Sequence, residues 1–124
     1  MKDTRPVNID LTTIRFPLTA ILSITHRITG VIIFVGVAIL LYLLGLSLES
    51  AAGFAEAQRL LTLPVAKFVV WGIVSGLLYH IVAGTKHLIM DWGLGETLAG
   101  AAIGSRITLV LSIVLIATAG VWIW

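Results

Sequence analysis

Polar residues stop abruptly after Arg27. From Ile28 to Leu48 the chain carries no charged side chain, and Phe68–Thr85 and Ile107–Trp124 are equally free of Lys, Arg, Asp and Glu. A helix needs roughly 20 mainly apolar residues, rising about 1.5 Å each, to cross a bilayer's hydrocarbon. The first run is long enough alone. The other two reach that length by taking in Pro64–Lys67, Lys86–Met90 and the small residues Ala99–Ser105. Only helices and closed barrels satisfy every backbone polar group in lipid. These runs lack the period-two alternation of barrel strands. The pattern therefore predicts an all-α integral membrane protein with three transmembrane helices, at about 19–48, 65–91 and 101–124.

The polar stretches predict the connections. Residues 1–18 form an N-terminal segment containing Pro6 and Pro17, with a short turn around Asp10–Thr13. The first helix starts near Pro17–Thr19, because proline is tolerated in a first turn but not in a helix interior. "SLESAAGFAEAQRL" reads as a mildly amphipathic connection, broken at Gly53, with Pro64 near the start of the second span. "DWGLGET" makes the other connection, where Gly93 and Gly95 suit a turn.

Composition strengthens the membrane reading. The 124 residues are 59% hydrophobic and 11% charged, too little polar surface to cover a soluble domain. Net charge is +2, and the pI near 9.4 reflects very few groups, so no nucleic-acid partner is implied. The cations are uneven, however. Lys2, Arg5, Arg15 and Arg27 lie before or at the first span, and Lys86 and Arg106 flank the second connection; the first connection has only Arg59 and Lys67. This bias predicts a cytoplasmic N-terminus and second connection, and a periplasmic C-terminus. Trp71, Trp122 and Trp124 then fall near the outer interface and Trp92 near the inner one. The first span is too long and too far from the start for a cleaved signal, and no Arg- and Ser-rich transit segment precedes it. A bacterial inner membrane is expected.

With no cysteine, the chain cannot hold a covalent c-type haem, a thiolate-ligated haem or a cysteine-held iron–sulfur cluster. Phosphate loops, nucleophile elbows and HExxH motifs are absent, so no catalytic residue is assigned. Histidine is the best remaining ligand for haem iron. In the second span, Gly72, Gly76, His80, Gly84, His87 and Asp91 recur every three or four positions and share a helix face. Glycines a turn before and after His80 predict a groove where a flat group can approach the backbone. An ionisable residue at that depth is a functional candidate by default. Three readings of His80 stand at this point: a haem iron ligand, a polar contact within close helix packing, and part of a proton relay. His87, beside Lys86, and Asp91 also read as ordinary interfacial groups. On the first span, Ser23, His26 and Arg27 stand where hydrocarbon begins. Arg27 is either a snorkelling anchor or the cation of a polar pocket for an anion or a quinone oxygen.

The segments "RPVNIDLTTIRFPLTAILSITHRITGVI" and "YHIVAGTKHLIMDWG", followed by a final apolar helix, closely resemble the cytochrome b556 type of succinate dehydrogenase membrane anchor. The S-x-x-H-R-x-[ST]-G and H-x-x-x-G-x-x-H-x-x-x-D patterns carry the likeness, which covers nearly the whole chain. Thr29 stands where some members carry Ser. The resemblance implies a hetero-oligomeric helix bundle: this chain, a second small anchor, an iron–sulfur subunit and a flavoprotein subunit, with FAD and iron–sulfur clusters only in those partners. It implies a haem b shared between the two anchors, with His80 as one axial ligand and the other supplied by the second anchor. It places Ser23 and Arg27 at the ubiquinone-reduction site. His26, Arg27 and His87 come near the haem propionates. The implied function is electron transfer from succinate to ubiquinone in the tricarboxylic acid cycle. Rival readings are a haem-free proton-conducting or transport bundle using His80, His87 and Asp91, a purely structural anchor, and the anchor of a related fumarate reductase.

Overall fold

The computed structural model describes residues 10–124; Lys2, Arg5 and Pro6 lie outside them. Four helices follow one another: α1 (Leu18–Glu49), α2 (Ala51–Thr62), α3 (Pro64–Asp91) and α4 (Leu98–Ile123). Among the described residues there is no strand. α1, α3 and α4 are long and apolar enough to cross a membrane. α1 has 32 residues, so it is about 48 Å long and exceeds a hydrocarbon core of about 30 Å. Its ends therefore stand in the headgroup layers.

Local chemistry sets the boundaries. Asp10 opens the turn before α1, with Thr13 N–H donating to its carbonyl at 3.2 Å. The Thr12 hydroxyl and N–H both donate to the Asp10 carboxylate and hold it below the usual carboxylate range. Pro17, in an extended conformation, is the N-cap of α1. Pro64 occupies the first turn of α3, where its missing N–H costs nothing. The Thr97 side chain accepts from Gly100 N–H at 3.0 Å, so α4 begins at Leu98 rather than near residue 101. Gly93 and Gly95 have φ of 81° and 76°, the left-handed values that glycine adopts without strain.

Gly53 is not the helix break expected of it. The break lies at Ser50, which is fully extended (φ −166°, ψ 170°) and caps α2 by accepting from Gly53 N–H at 3.0 Å. Gly53 is buried inside the first turn of α2, where a Cβ would collide with the backbone carbonyl of Leu46. A tight corner, not a flexible one, demands the glycine. α2 is short and amphipathic, with a Glu56–Arg59 pair at 2.7 Å on its exposed side. That pairing pushes the Glu56 carboxyl down and the Arg59 guanidinium up.

The three long helices run antiparallel. Gly36 of α1 meets Ile73 of α3, Ile32 meets Gly76, and His26 meets Gly84, a steady register of small residues against large ones. Such pairs let helices approach where the hydrophobic effect gives no drive. α4 packs on the same pair: Trp71 Nε1 donates to the Ile116 carbonyl at 3.1 Å, near one end, and Lys86 reaches Ser105 near the other. Leu22, Tyr79 and Ala83 form a small core, and the Tyr79 hydroxyl donates to the Leu22 carbonyl at 2.9 Å. The polar side chains Ser105, Thr108 and Ser112 of α4 point inward, whereas Phe34, Leu41 and Val121 point outward. This inversion of soluble-protein order suits an apolar solvent.

Candidate functional site

The antiparallel register lays the start of α1 beside the end of α3. His26 and His80 stack across that contact, with ring centroids 4.0 Å apart and planes 16° from parallel. His87, two turns along α3 from His80, tilts against His26 at 5.2 Å and 55°. All three are half-buried. Each member of the stacked pair lies over a glycine of the opposite helix. A Cβ on Gly84 would come 3.2 Å from His26 Nε2, and one on Gly30 would come 3.3 Å from His80 Cε1. The glycine row of α3 is thus not the open groove expected from its spacing. α1 fills it beside Gly76 and Gly84, while Gly72 has open space around it.

Hydrogen bonds fix the state of His80. Its Nδ1 lies 3.1 Å from the His26 carbonyl and 3.2 Å from Thr29 Oγ1. The Thr29 hydroxyl donates its own proton to the His26 carbonyl at 2.8 Å, so Oγ1 faces Nδ1 with a lone pair. Both neighbours of Nδ1 are acceptors, and Nδ1 therefore carries the proton. Nε2 has no hydrogen-bond partner among the described residues, and in the neutral ring it carries the lone pair. A neutral imidazole anchored through Nδ1–H is the form in which histidine binds a metal through Nε2. His26 is different: its Nε2 is buried without a partner and therefore wants a ligand that accepts or donates there.

Among the described residues, no three His, Asp or Glu side chains converge to hold a bare metal ion. The donor set fits a macrocycle-held iron better, because that needs a single axial nitrogen from this chain. Ser23 lies one turn before Arg27 on α1, half-buried, and Arg27 is exposed. No hydrogen bond or ion pair among the described residues engages Arg27 or Asp91, and Asp91 is exposed at the end of α3. The structure thus gathers His26, His80 and His87 into one stack. Arg27 follows His26 on α1 and Asp91 lies one turn beyond His87 on α3; neither charge is paired among the described residues. Sequence reasoning passed over Thr29 as a bonding group; it is 7% exposed and central to the arrangement.

Comparison with known proteins gives a consistent result. Residues 1–119 match the family described as succinate dehydrogenase/fumarate reductase transmembrane subunit. A succinate dehydrogenase cytochrome b556 subunit of Coxiella burnetii is 42% identical over 125 residues, covering 100% of both chains. The cytochrome b556 subunit of Paracoccus denitrificans is 32% identical over 90% of this chain and 85% of its own. The mitochondrial cytochrome b560 subunit of Sus scrofa is 33% identical over 88% of this chain and 66% of its own.

Proposed function

The chain belongs to the succinate dehydrogenase/fumarate reductase transmembrane subunit family, and on that premise we propose that His80 would hold a haem b through Nε2. The relatives are cytochrome b subunits of succinate dehydrogenase, and the chain is a multi-pass membrane anchor of that enzyme complex. The observation that carries the haem reading is the double acceptor at Nδ1, which leaves the opposite nitrogen free. When bound, the haem supplies a one-electron redox centre of low-spin b type.

This chain's residues do the rest. The His26 carbonyl and Thr29 Oγ1 hold the Nδ1 proton and so set the orientation of the ring. His26, stacked on His80, and His87, whose ring centroid lies 5.2 Å from that of His26, would line the propionate end of the haem. A second small anchor would supply a further ligand, because the other two histidines of this chain, His26 and His87, are packed together beside His80. Ser23 donates to a carbonyl oxygen of ubiquinone and orients the ring. Arg27, exposed and without a partner among the described residues, opposes the negative charge that develops on a quinone oxygen as electrons arrive. Those electrons come from succinate, through the flavin and iron–sulfur clusters of the partner subunits. The site then lies on the cytoplasmic side of a bacterial inner membrane, together with the N-terminal segment 1–18.

The test uses the purified complex. His80→Ala should abolish the reduced-minus-oxidised b-type spectrum, or shift it if another ligand substitutes; an unchanged spectrum puts the ligand elsewhere. Ser23→Ala and Arg27→Ala should lower quinone reduction by one to two orders of magnitude, the loss of about 1–3 kcal/mol of polar contact. Succinate oxidation by an artificial acceptor at the flavin should survive. Normal quinone kinetics in both variants would remove these residues from the pocket.

A further inference from the structure

We propose that the groove between α3 and α4, at the end near their connection, binds one anionic phospholipid. In that site Lys86 holds the phosphate and an acyl chain runs along the groove. The groove is separate from the histidine stack. It encloses about 500 Å³ and is lined chiefly by Ile81, Thr85 and Ile89 of α3 and Ile103, Ile107 and Leu111 of α4. Leu94 and Gly95 of the connection also line it, so it reaches the headgroup end of the bundle.

One charge stands in this apolar lining. The stem of Lys86 lies across Gly104, where a Cβ would be 3.4 Å from its Cε. Its ammonium donates to Ser105 Oγ at 3.1 Å, and Ser105 in turn donates to the Ala101 carbonyl at 2.8 Å. Ser105 is wholly buried. The ammonium has three donors, and among the described residues only one is used, on a neutral hydroxyl. No carboxylate among the described residues pairs with it. A cation so placed calls for an anion from its surroundings.

Depth selects the anion. The 28 residues of α3 measure about 42 Å and overrun a hydrocarbon core of about 30 Å by about 6 Å at each end. Lys86 lies about 7.5 Å along the axis from the Asp91 end, at the plane where hydrocarbon meets headgroups. Phospholipid phosphates lie just outside that plane. A free phosphate would gain nothing from the isoleucine-lined length of the groove. A zwitterionic lipid brings its own cation next to Lys86. An anionic headgroup with an acyl tail matches both halves of the site.

The experiment counts lipids on the intact complex by native mass spectrometry after graded delipidation, then adds back phosphatidylglycerol or phosphatidylcholine. The parent complex should keep phosphatidylglycerol longest and bind it in preference. Lys86→Gln should weaken that binding about fivefold, the share of one interfacial cation, and Lys86→Arg should restore it. Ile103→Trp, which places bulk on an exposed groove side chain, should displace the lipid whether or not Lys86→Gln assembles. Equal retention of phosphatidylglycerol by parent, Lys86→Gln and Ile103→Trp would overturn the proposal. So would indifference between the two lipids, or a photocrosslinker at position 103 that captures a partner subunit instead of lipid. The b-type spectrum, recorded on the same samples, reports separately on His80.

Discussion

Thr29 Oγ1 is one of two acceptors that face His80 Nδ1, and its hydroxyl is the group to remove. Thr29→Val keeps the shape but takes away one of two acceptors for Nδ1–H and leaves the His26 carbonyl alone. A hydrogen bond at Nδ1 makes an axial imidazole more electron-donating and favours oxidised iron. If His80 ligates the haem as proposed, its loss should raise the haem midpoint potential by about 20–40 mV, the equivalent of roughly 0.5–1 kcal/mol for one electron. Thr29→Ser should leave the potential near the parent value. A redox titration that finds Thr29→Val unshifted would show that the His26 carbonyl alone holds the ring. Sequence makes His80 stand out, because an ionisable side chain within a charge-free run has few other uses. Thr29 does not stand out in the same way. Threonines in spanning helices ordinarily bond a carbonyl of their own helix, as Thr25, Thr85 and Thr118 do. Only the facing helix gives Thr29 a second partner.

At the scale of the element, the corner between α1 and α2 makes the sharpest demand on sequence. A Cβ on Gly53 would meet the Leu46 carbonyl, which belongs to the backbone of α1 and cannot swing aside. Gly53→Ala should therefore destabilise this end of the bundle by about 1–3 kcal/mol, despite alanine's better helix propensity. Gly45→Ala is the matched control, since nothing lies within 4 Å of a Cβ there. Thermal unfolding of the purified complex should show a lowered midpoint for Gly53→Ala and none for Gly45→Ala; equal midpoints would mean that the corner opens without cost. Both misreadings of glycine have one cause. Spacing along a chain tells which residues share a face, but not what stands opposite. Gly53 looks like a break until Leu46 is seen behind it. The row at Gly76 and Gly84 looks like a groove until Ile32 and His26 occupy it. The long helices were easier to read, because hydrocarbon imposes its length on any sequence that crosses it.

At the scale of the whole molecule, three antiparallel spans fix which ends share a side, and cation placement decides which side that is. Arg15, Arg27, Lys86 and Arg106 lie toward the ends that α1, α3 and α4 present together, opposite Arg59 and Lys67. At that opposite side Trp71 meets Trp124 edge-on at 6.1 Å, an aromatic pair suited to an interface. In the proposed orientation, argued from the cation bias, the histidine stack faces the cytoplasm. The chain's lack of cysteine makes this testable with single introduced thiols. In intact cells, a membrane-impermeant maleimide should label Ala51→Cys and leave Glu96→Cys unlabelled until the membrane is opened. The reverse pattern would turn the bundle over and place Ser23 and Arg27 on the side away from the proposed iron–sulfur partner. Electrons could then reach a quinone beside Arg27 only by crossing the bilayer, so the assignment of the quinone pocket depends on this labelling as much as on Arg27 itself.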